Sequence, residues 1–436
     1  MIKSIYKIGL IAMLYFIVNS CSKNDNSDND TYVPTLSAIA PNSGPKTTIV
    51  TITGTNFGTD LNTVKVFFNE KEAVVQSLTN TVIEAIVPVS AYTGVVKVMV
   101  NDIELIGPEF TYILTVLVNT FAGSDVGNID GTLESANFNY PTGLAFDSEG
   151  NLYVVDNVNH SIRKITPNGV VSTFAGGTQG FADDTGTAAK FNYPYFIAID
   201  TQDNLYVTDR ANHKIRKITP NGEVTTFAGS TEGNDDGVGT DAKFSLPYGI
   251  TIDSNNTLYV SDVDNHNIRK ITSSGEVTTL AGSAQGFADA NIGTEAKFNF
   301  PSSLAIDKDN NLVVADFNNN KIRRISLSGK VSTLVGGTTA GHKDGSLTEA
   351  LLNKPIGISI DINNDIYISS YNHTIRKINI NNQQISTIAG NLGQGDNDGI
   401  GTDTSFNRPF GLTIDEDNTL YIADTYNHRI RTITQE

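Results

Sequence analysis

Tryptophan is absent from this sequence and cysteine occurs once, so no intrachain disulfide can brace the fold. The missing tryptophan also takes away the largest ring for stacking on sugars, which weighs against a glycan site. Positive charge is scarce: 30 Lys and Arg stand against 47 Asp and Glu, a formal charge of -17. Such a field repels DNA, RNA and anionic lipid, so no nucleic-acid partner is expected. Long hydrophobic runs are lacking as well. The apolar stretch at residues 8–18 falls well short of the roughly 20 residues that span a bilayer. What is plentiful is glycine, at 38 residues, with asparagine and threonine throughout and 39% hydrophobic content, the make-up of a soluble β-rich chain rather than a helical one. A length of 436 residues predicts two domains, one of them large.

The apolar stretch follows Lys3 and Lys7 and leads into Asn19-Ser20-Cys21, the layout of a signal peptide and its cleavage site. A small residue directly before the lone cysteine resembles the bacterial lipoprotein box, although Asn19 stands where a small or apolar residue is usual. The resemblance implies that Cys21 is acylated and becomes the new N-terminus, holding the protein on a membrane. Residues 1–20 are therefore expected to be a lipoprotein signal peptide. Residues 21–32 are expected to be an acidic flexible tether, because Ser22-Lys23-Asn24-Asp25-Asn26-Ser27-Asp28-Asn29-Asp30 offers nothing to bury. Its lysine followed by aspartates is similar to the surface-export signal of Bacteroidetes lipoproteins, which implies the outer membrane, facing the cell exterior.

Short alternating runs occupy residues 33–113, at 48–54, 63–68, 81–87 and 95–100, with proline and glycine between them. That pattern predicts an antiparallel β-sandwich. Ile39-Ala40-Pro41-Asn42-Ser43-Gly44, Ile52-Thr53-Gly54-Thr55-Asn56-Phe57-Gly58, Val87-Pro88, Gly94-Val95-Val96 and Phe110-Thr111-Tyr112 resemble the IPT/TIG immunoglobulin-like family. Gly54 and Gly58 are expected to supply positive φ at a tight bend, with Phe57 plugging the sandwich end. The resemblance implies a spacer or interaction module.

Residues 114–436 repeat. Six segments begin at Pro141, Pro194, Pro247, Pro301, Pro355 and Pro409, at spacings of 53 or 54. Each reads as four strands, one propeller blade. The sixth ends at Glu436 without its fourth strand, while residues 116–123 supply one ahead of the first repeat, so the N-terminal strand is predicted to close a six-bladed propeller. Gly143-Leu144-Ala145-Phe146-Asp147, Gly150-Asn151-Leu152-Tyr153-Val154-Val155-Asp156 and Asn159-His160-Ser161-Ile162-Arg163-Lys164-Ile165 resemble the NHL repeat. As a family it includes binders, adhesion modules and lyases.

Strand alternation puts the fourth-to-first and second-to-third connections on one face, where the former are long and variable. His160, His213, His266, His373 and His428, with Asn320 in the fourth repeat, recur one blade apart and so do not converge on a metal. Arg163, Arg216, Arg269, Arg323, Arg376 and Arg431 recur with Asp156, Asp209, Asp262, Asp316 and Asp424, Ser369 standing in the fifth, and predict pairing inside each blade. The pairs Asp130-Gly131, Asp236-Gly237, Asp344-Gly345 and Asp398-Gly399 read as turns, since Asp396-Asn397-Asp398-Gly399 lacks the further ligands of a calcium loop. No metal or cofactor is expected. Positions that break the repeat carry the site candidates: Tyr195, Tyr248 and Phe410 after the prolines, and Arg210, Phe317, Tyr371 and Tyr426 in the second-to-third turns. Exposed rings there would stack on sugars or pack against neighbouring loops.

The inner strands carry no acid beyond their repeated aspartate, which argues against catalysis. The sequence therefore reads as a non-catalytic surface lipoprotein that presents a propeller face to an extracellular glycan or protein ligand, within a nutrient-uptake or outer-membrane transport complex. An adhesion or scaffold module is the alternative, and a propeller lactonase or lyase the third. Cys21→Ala should move the protein from the membrane to the soluble fraction and abolish acyl labelling; continued fractionation with outer membrane would refute the anchor.

Overall fold

The computed structural model describes residues 33–436. The expected signal peptide, Cys21 and the tether fall outside the described residues. Two compact units meet in sequence at Tyr112 and Ile113, and among the described residues regular structure is all strand and short 3-10 turns.

The first unit contains strands β1 (Thr35–Ala40), β2 (Ser43–Gly44), β3 (Ile49–Thr55), β4 (Val64–Phe68), β5 (Lys71–Leu78), β6 (Val82–Ile86), β7 (Gly94–Val100) and β8 (Ile103–Tyr112), hydrogen-bonded in the order β1-β3-β6-β5-β4-β7-β8-β2. Alternate residues point inward, so Val50, Ile52, Val66, Phe68, Ile83, Val96, Val98 and Phe110 form one buried core. Phe57 is buried in it as expected, and Gly58 takes a φ of +81. Gly54 serves differently from the expectation: the positive φ of the bend falls on Asn56, and Gly54 is needed because a Cβ there would lie 2.0 Å from the Thr35 carbonyl.

The second unit is a six-bladed propeller. In blade one the inner strand Pro141–Phe146 pairs with Leu152–Asp156, which pairs with Ser161–Ile165 and then Val170–Gly176. The aspartate that ends the inner strand makes the turn: Asp147 Oδ1 accepts from the N–H groups of Glu149 (3.0 Å) and Asn151 (2.8 Å). A two-residue fifth strand, Gly131–Thr132, lies along the outer edge. Five blades have this fifth strand and blade four has a single bridge, Ala290 to Val331, in its place.

A buried arginine ties each blade together. Arg163 donates from Nη1 to Asp156 Oδ2 (2.9 Å) and the Asn137 carbonyl, and from Nη2 to Asp130 Oδ1 (2.6 Å) and the Ile129 carbonyl. Arg216, Arg269, Arg323 and Arg431 are held between Asp209 and Asp183, Asp262 and Asp236, Asp316 and Asp289, Asp424 and Asp398. The expected pairing inside the blade is present, and the Asp-Gly pairs have a larger part than turn formation: their aspartates are the second carboxylate of the clamp. Blade five differs. Ser370 pairs with Pro355 as Asp156 does with Pro141, so the serine at the aspartate position is Ser370 and not Ser369. The turn behind it, up to His373, is one residue shorter than in the other blades, which accounts for the offset. Arg376 keeps Asp344 at 2.6 Å, and Ser370 Oγ is buried without a partner.

Strand β9 (Val116–Ala122) completes blade six, pairing with Arg429–Gln435 from Ile430 opposite Ala122 to Gln435 opposite Val116. Thr115 and Glu436 exchange backbone hydrogen bonds of 2.7 and 2.9 Å just beyond. Deleting residues 116–122 strips the buried Val118 and Ala122 from two seams and bares a strand edge. The propeller should become insoluble or melt at least about 10 °C lower, at about 2–4 °C per kcal/mol. Removal of residues 33–112 should shift melting by no more than a few degrees; equal losses in the two truncations would overturn this closure.

Candidate functional site

On the face with the long loops, adjacent blades are joined by two rings of hydrogen bonds. In the first, the carbonyl after each inner-strand proline is taken by the preceding blade. Thr142 Oγ1 donates to the Tyr195 carbonyl (2.6 Å), Thr208 Oγ1 to Tyr248 (2.7 Å), Ser302 Oγ to Ile356 (2.9 Å) and Ser369 Oγ to Phe410 (2.5 Å). Ser261 Oγ bonds the Ser302 carbonyl, and Gly411 N closes the circle on Thr142 at 3.0 Å.

The second ring explains the recurrent histidines. The residue before each proline has a positive φ, and its N–H donates to Nδ1 of the histidine one blade earlier: Tyr193 to His160 (3.1 Å), Leu246 to His213 (3.3 Å), Phe300 to His266 (3.3 Å), Arg408 to His373 (3.0 Å) and Tyr140 to His428 (3.2 Å). In the fourth seam Asn320 Oδ1 accepts from Lys354 N–H at 2.9 Å, an amide oxygen in place of an imidazole nitrogen. Each histidine is a latch between blades, and the latch needs the neutral ring.

These rings bring all seven candidate residues together. Tyr195, Tyr248, Phe410, Phe317, Tyr371 and Tyr426 share one apolar cluster, and the Arg210 guanidinium lies 5.6 Å over the Tyr195 ring. Tyr195 packs on Tyr248 at 4.1 Å and on Phe410 at 6.1 Å, and Phe410 stacks with Tyr426 at 6.4 Å. Two of the seven are not the exposed rings expected: Tyr248 and Phe410 are 5% and 8% exposed. The inner strands converge too closely to leave an open mouth, since a Cβ at Gly357 would lie 2.0 Å from the Phe410 carbonyl, and the two rings fill what space is left. Burial, with Tyr195 beside it, pushes the Tyr248 hydroxyl well above its ordinary value. Tyr195, Phe317, Tyr371, Tyr426 and Arg210 remain half-buried and form the accessible surface of the plug.

Sequence reasoning misses the residues before the prolines. Phe300, Lys354, Arg408 and Tyr140 alternate with the turn residues in an arc over blades four, five, six and one. Phe300 meets Phe317 at 5.6 Å; Lys354 Nζ is 5.3 Å from both the Phe317 and Tyr371 rings; Arg408 lies 4.3 Å over Tyr371 and 4.7 Å over Tyr426; Tyr140 meets Tyr426 at 4.9 Å. A signal for them exists: this position varies from repeat to repeat and is always a large side chain. Beneath the plug, a cavity of about 300 Å³ is lined by apolar inner-strand residues including Leu144, Phe196, Ile250, Leu304, Ile358 and Leu412, and its lining contains no titratable side chain.

A second cavity, about 570 Å³, lies between blades six and one toward the tight-turn face, with Phe121, Phe146 and Tyr421 in its wall and Asp147, Glu149, Asp415, Glu416 and Asp417 around it. Burial, then Asp415, pushes the Tyr421 hydroxyl up to about 12. Among the described residues no three His, Cys, Asp or Glu side chains gather as a metal site would require.

The fold and these sites define an all-β chain with an immunoglobulin-like sandwich and a six-bladed propeller. Residues 34–112 match the IPT/TIG domain, and residues 138–165, 191–218, 244–271, 298–325 and 406–433 match the NHL repeat, so the chain carries an IPT/TIG domain and NHL repeats. Blade five, with its serine and its shortened turn, is outside the matched repeats. NHL repeat-containing protein 2 of Bos taurus is 30% identical over 339 residues, covering 68% of this chain and 47% of the relative, so this chain spans less than half the relative's length. Two solved structures from Bacteroides thetaiotaomicron share the fold. A structural genomics protein of unknown function superposes with a TM-score of 0.61 at 23% identity, covering 94% of this chain and 99% of that one. An auxiliary nutrient binding protein superposes with a TM-score of 0.59 at 20% identity, covering 92% and 98%.

Burial holds His160, His213, His373 and His428 below the ordinary imidazole value of 6.5. The unfolded chain therefore binds their protons more tightly, and the stability they contribute is complete above about pH 6.5 and lost as pH falls through the folded values. Asp156 and Asp262, pushed up to about 6 by burial, contribute with the opposite sign, lost as pH rises. Replacing all five latch histidines by asparagine, as blade four already has, isolates the first effect. Between pH 7.5 and 5.5 the melting temperature of the parent should fall at least about 5 °C more than that of the variant, each latch being worth about 1 kcal/mol. Parallel pH curves would show that the histidines do not titrate as latches.

Proposed function

We propose that this protein is a surface-anchored, non-catalytic binding protein of nutrient uptake, and that its ligand, a glycan or another extracellular molecule, is received on the plugged face of the propeller. The carrying observation is the half-buried arc of Phe317, Tyr371 and Tyr426 interleaved with Lys354 and Arg408, made from side chains that neither the clamps nor the latches require. Aromatic faces beside polar hydrogen-bond donors suit a sugar ring. The auxiliary nutrient binding protein with the same two-unit fold is consistent with this reading. Anchoring through Cys21, an outward-facing position and association with an outer-membrane transport complex belong to the same proposal and rest on the leader. The apolar lining of the axial cavity weighs against a lactonase or lyase, whose acid or base would be needed there.

Binding to a protein partner is the second reading, favoured by Phe181 and Phe287, whose rings are half exposed at the tips of loops on the same face.

Tyr371→Ser with Tyr426→Ser should weaken binding of a captured oligosaccharide about 10–30-fold, two stacking contacts at about 1 kcal/mol each. Phe410→Ala should instead cost about 3–5 kcal/mol of stability by opening a cavity in the plug. Calorimetry and melting curves on both variants, after screening neutral and acidic oligosaccharides, decide the matter. A ligand bound equally well by the double-serine variant would place the site elsewhere.

A further inference from the structure

Arg210, Lys354 and Arg408 differ from the clamp arginines and from Lys214 and Lys321. The six clamp arginines each hold at least one carboxylate within 2.7 Å. Lys321, which lies 4.7 Å over the ring of Phe287, spends its ammonium on the carbonyls of Gly336 (2.9 Å) and Gly337 (2.6 Å), and Lys214, over Phe181, on that of Ser230. The side chains of Arg210, Lys354 and Arg408, by contrast, form no ion pair or hydrogen bond among the described residues; their contacts are with ring faces.

A ring face holds a cation in place without using its N–H groups. Each guanidinium thus keeps its planar fork of donors, the geometry that grips a carboxylate or sulfate in bidentate fashion. The chain does not lack acids that could have paired with them, since Asp and Glu outnumber Lys and Arg by 47 to 30. The overall charge of -17 does not prevent an anion from reaching them, because at physiological ionic strength charges beyond about 8 Å are largely screened and the local cations decide the contact.

The structure assigns this face to an anionic saccharide: a sugar ring lies on the Tyr371, Tyr426 and Phe317 surface while its carboxylate or sulfate is taken by Arg408, Lys354 or Arg210. This assignment rests on the binding reading above and narrows it to one class of ligand. Carboxylate and sulfate offer the same charge to the same forks, and separate probes distinguish them.

The test uses the full chain with three oligosaccharides: oligogalacturonate, its methyl ester, which has the same rings without the charge, and a sulfated chondroitin oligosaccharide. At least one acidic probe should bind, oligogalacturonate at least 10-fold tighter than its ester if the anion is a carboxylate, and binding should weaken several-fold between 50 and 500 mM NaCl. Arg408→Gln with Lys354→Gln should lose about 10- to 100-fold for the acidic probe and little for the ester, and Arg408→Lys should retain most of the affinity. Should the Gln variants melt early, the acid against ester comparison on the parent protein still decides. Equal binding of acid and ester, with no preference for the sulfated probe, would overturn the anionic assignment and leave the binding reading standing. Failure of all three probes, with a neutral oligosaccharide bound instead, would do the same; failure of every saccharide would remove both.

Discussion

Everything on the long-loop face hangs from the buried guanidinium of the third strand. A charge taken out of water is tolerated only when it is paired and most of its hydrogen bonds are filled, and losing one partner typically costs about 3–5 kcal/mol. Arg216 fills four of its five N–H groups, with Asp209 from the neighbouring strand and with Asp183 and the carbonyls of Ala182 and Lys190 in the long loop, and only Nε–H has no acceptor. A loop that looks free in the sequence is thereby held at several points along its length. Just past the last held point comes the residue before the proline, delivered at the same height in every blade, where the histidine latch fixes its backbone. The arc of side chains over the axis is regular because the clamp and the latch are regular, although the side chains themselves are not.

A second constraint comes from the axis. The inner strands approach one another so closely that Gly143, Gly249, Gly357 and Gly411 have no room for a Cβ, and the post-proline carbonyls point into the preceding blade instead of an open channel. Carbonyls buried this way must find donors, which is why threonine or serine appears on one of two strands in five of the six seams, Thr142 and Ser302 on inner strands and Thr208, Ser261 and Ser369 on second strands, while the Gly411 N–H serves the sixth. Tyr248, Ile356 and Phe410 then close the top of the channel with apolar volume. The plug is divided by depth, with the deep rings filling space and the shallow ones left to face solvent.

The blade count, the closure by the first strand and the pairing of arginine with aspartate are legible in the sequence because each is a repeated pattern with a period. Counting along the chain misses Ser370 by one position because a deletion in the turn is invisible until the strand register is seen. The histidines can be recognised as architecture from their spacing, but their partner is a backbone N–H in another blade, and backbone groups leave no mark in a sequence. Asp130, Asp236, Asp344 and Asp398 look like turn formers because a glycine follows each; the arginine they hold lies more than thirty residues away. Among the candidate residues, those in the turns do reach the surface, and Tyr248 and Phe410 do not, since whether a ring beside an axis is exposed depends on how far the strands converge. Lys354 and Arg408 escape a sequence reading because a position just before a proline reads as linker until its φ and its neighbours are known.

The same arrangement accounts for how a strongly acidic protein can present a cationic centre. In each repeat the backbone at the latch is held by hydrogen bonds that do not depend on which side chain is attached, so the position before the proline is free to vary, and it does, from Tyr140 to Leu246 to Lys354 to Arg408. Where a long cation appears there, two turn residues flank it, and aromatic ones such as Tyr371 and Tyr426 hold it by its face while leaving its donors unfilled. A face built in this way is already ordered before anything binds, so association spends little on fixing side chains or loops. Under the binding reading, a change of ligand requires substitution only of side chains that the clamps, the latches and the axial ring do not use.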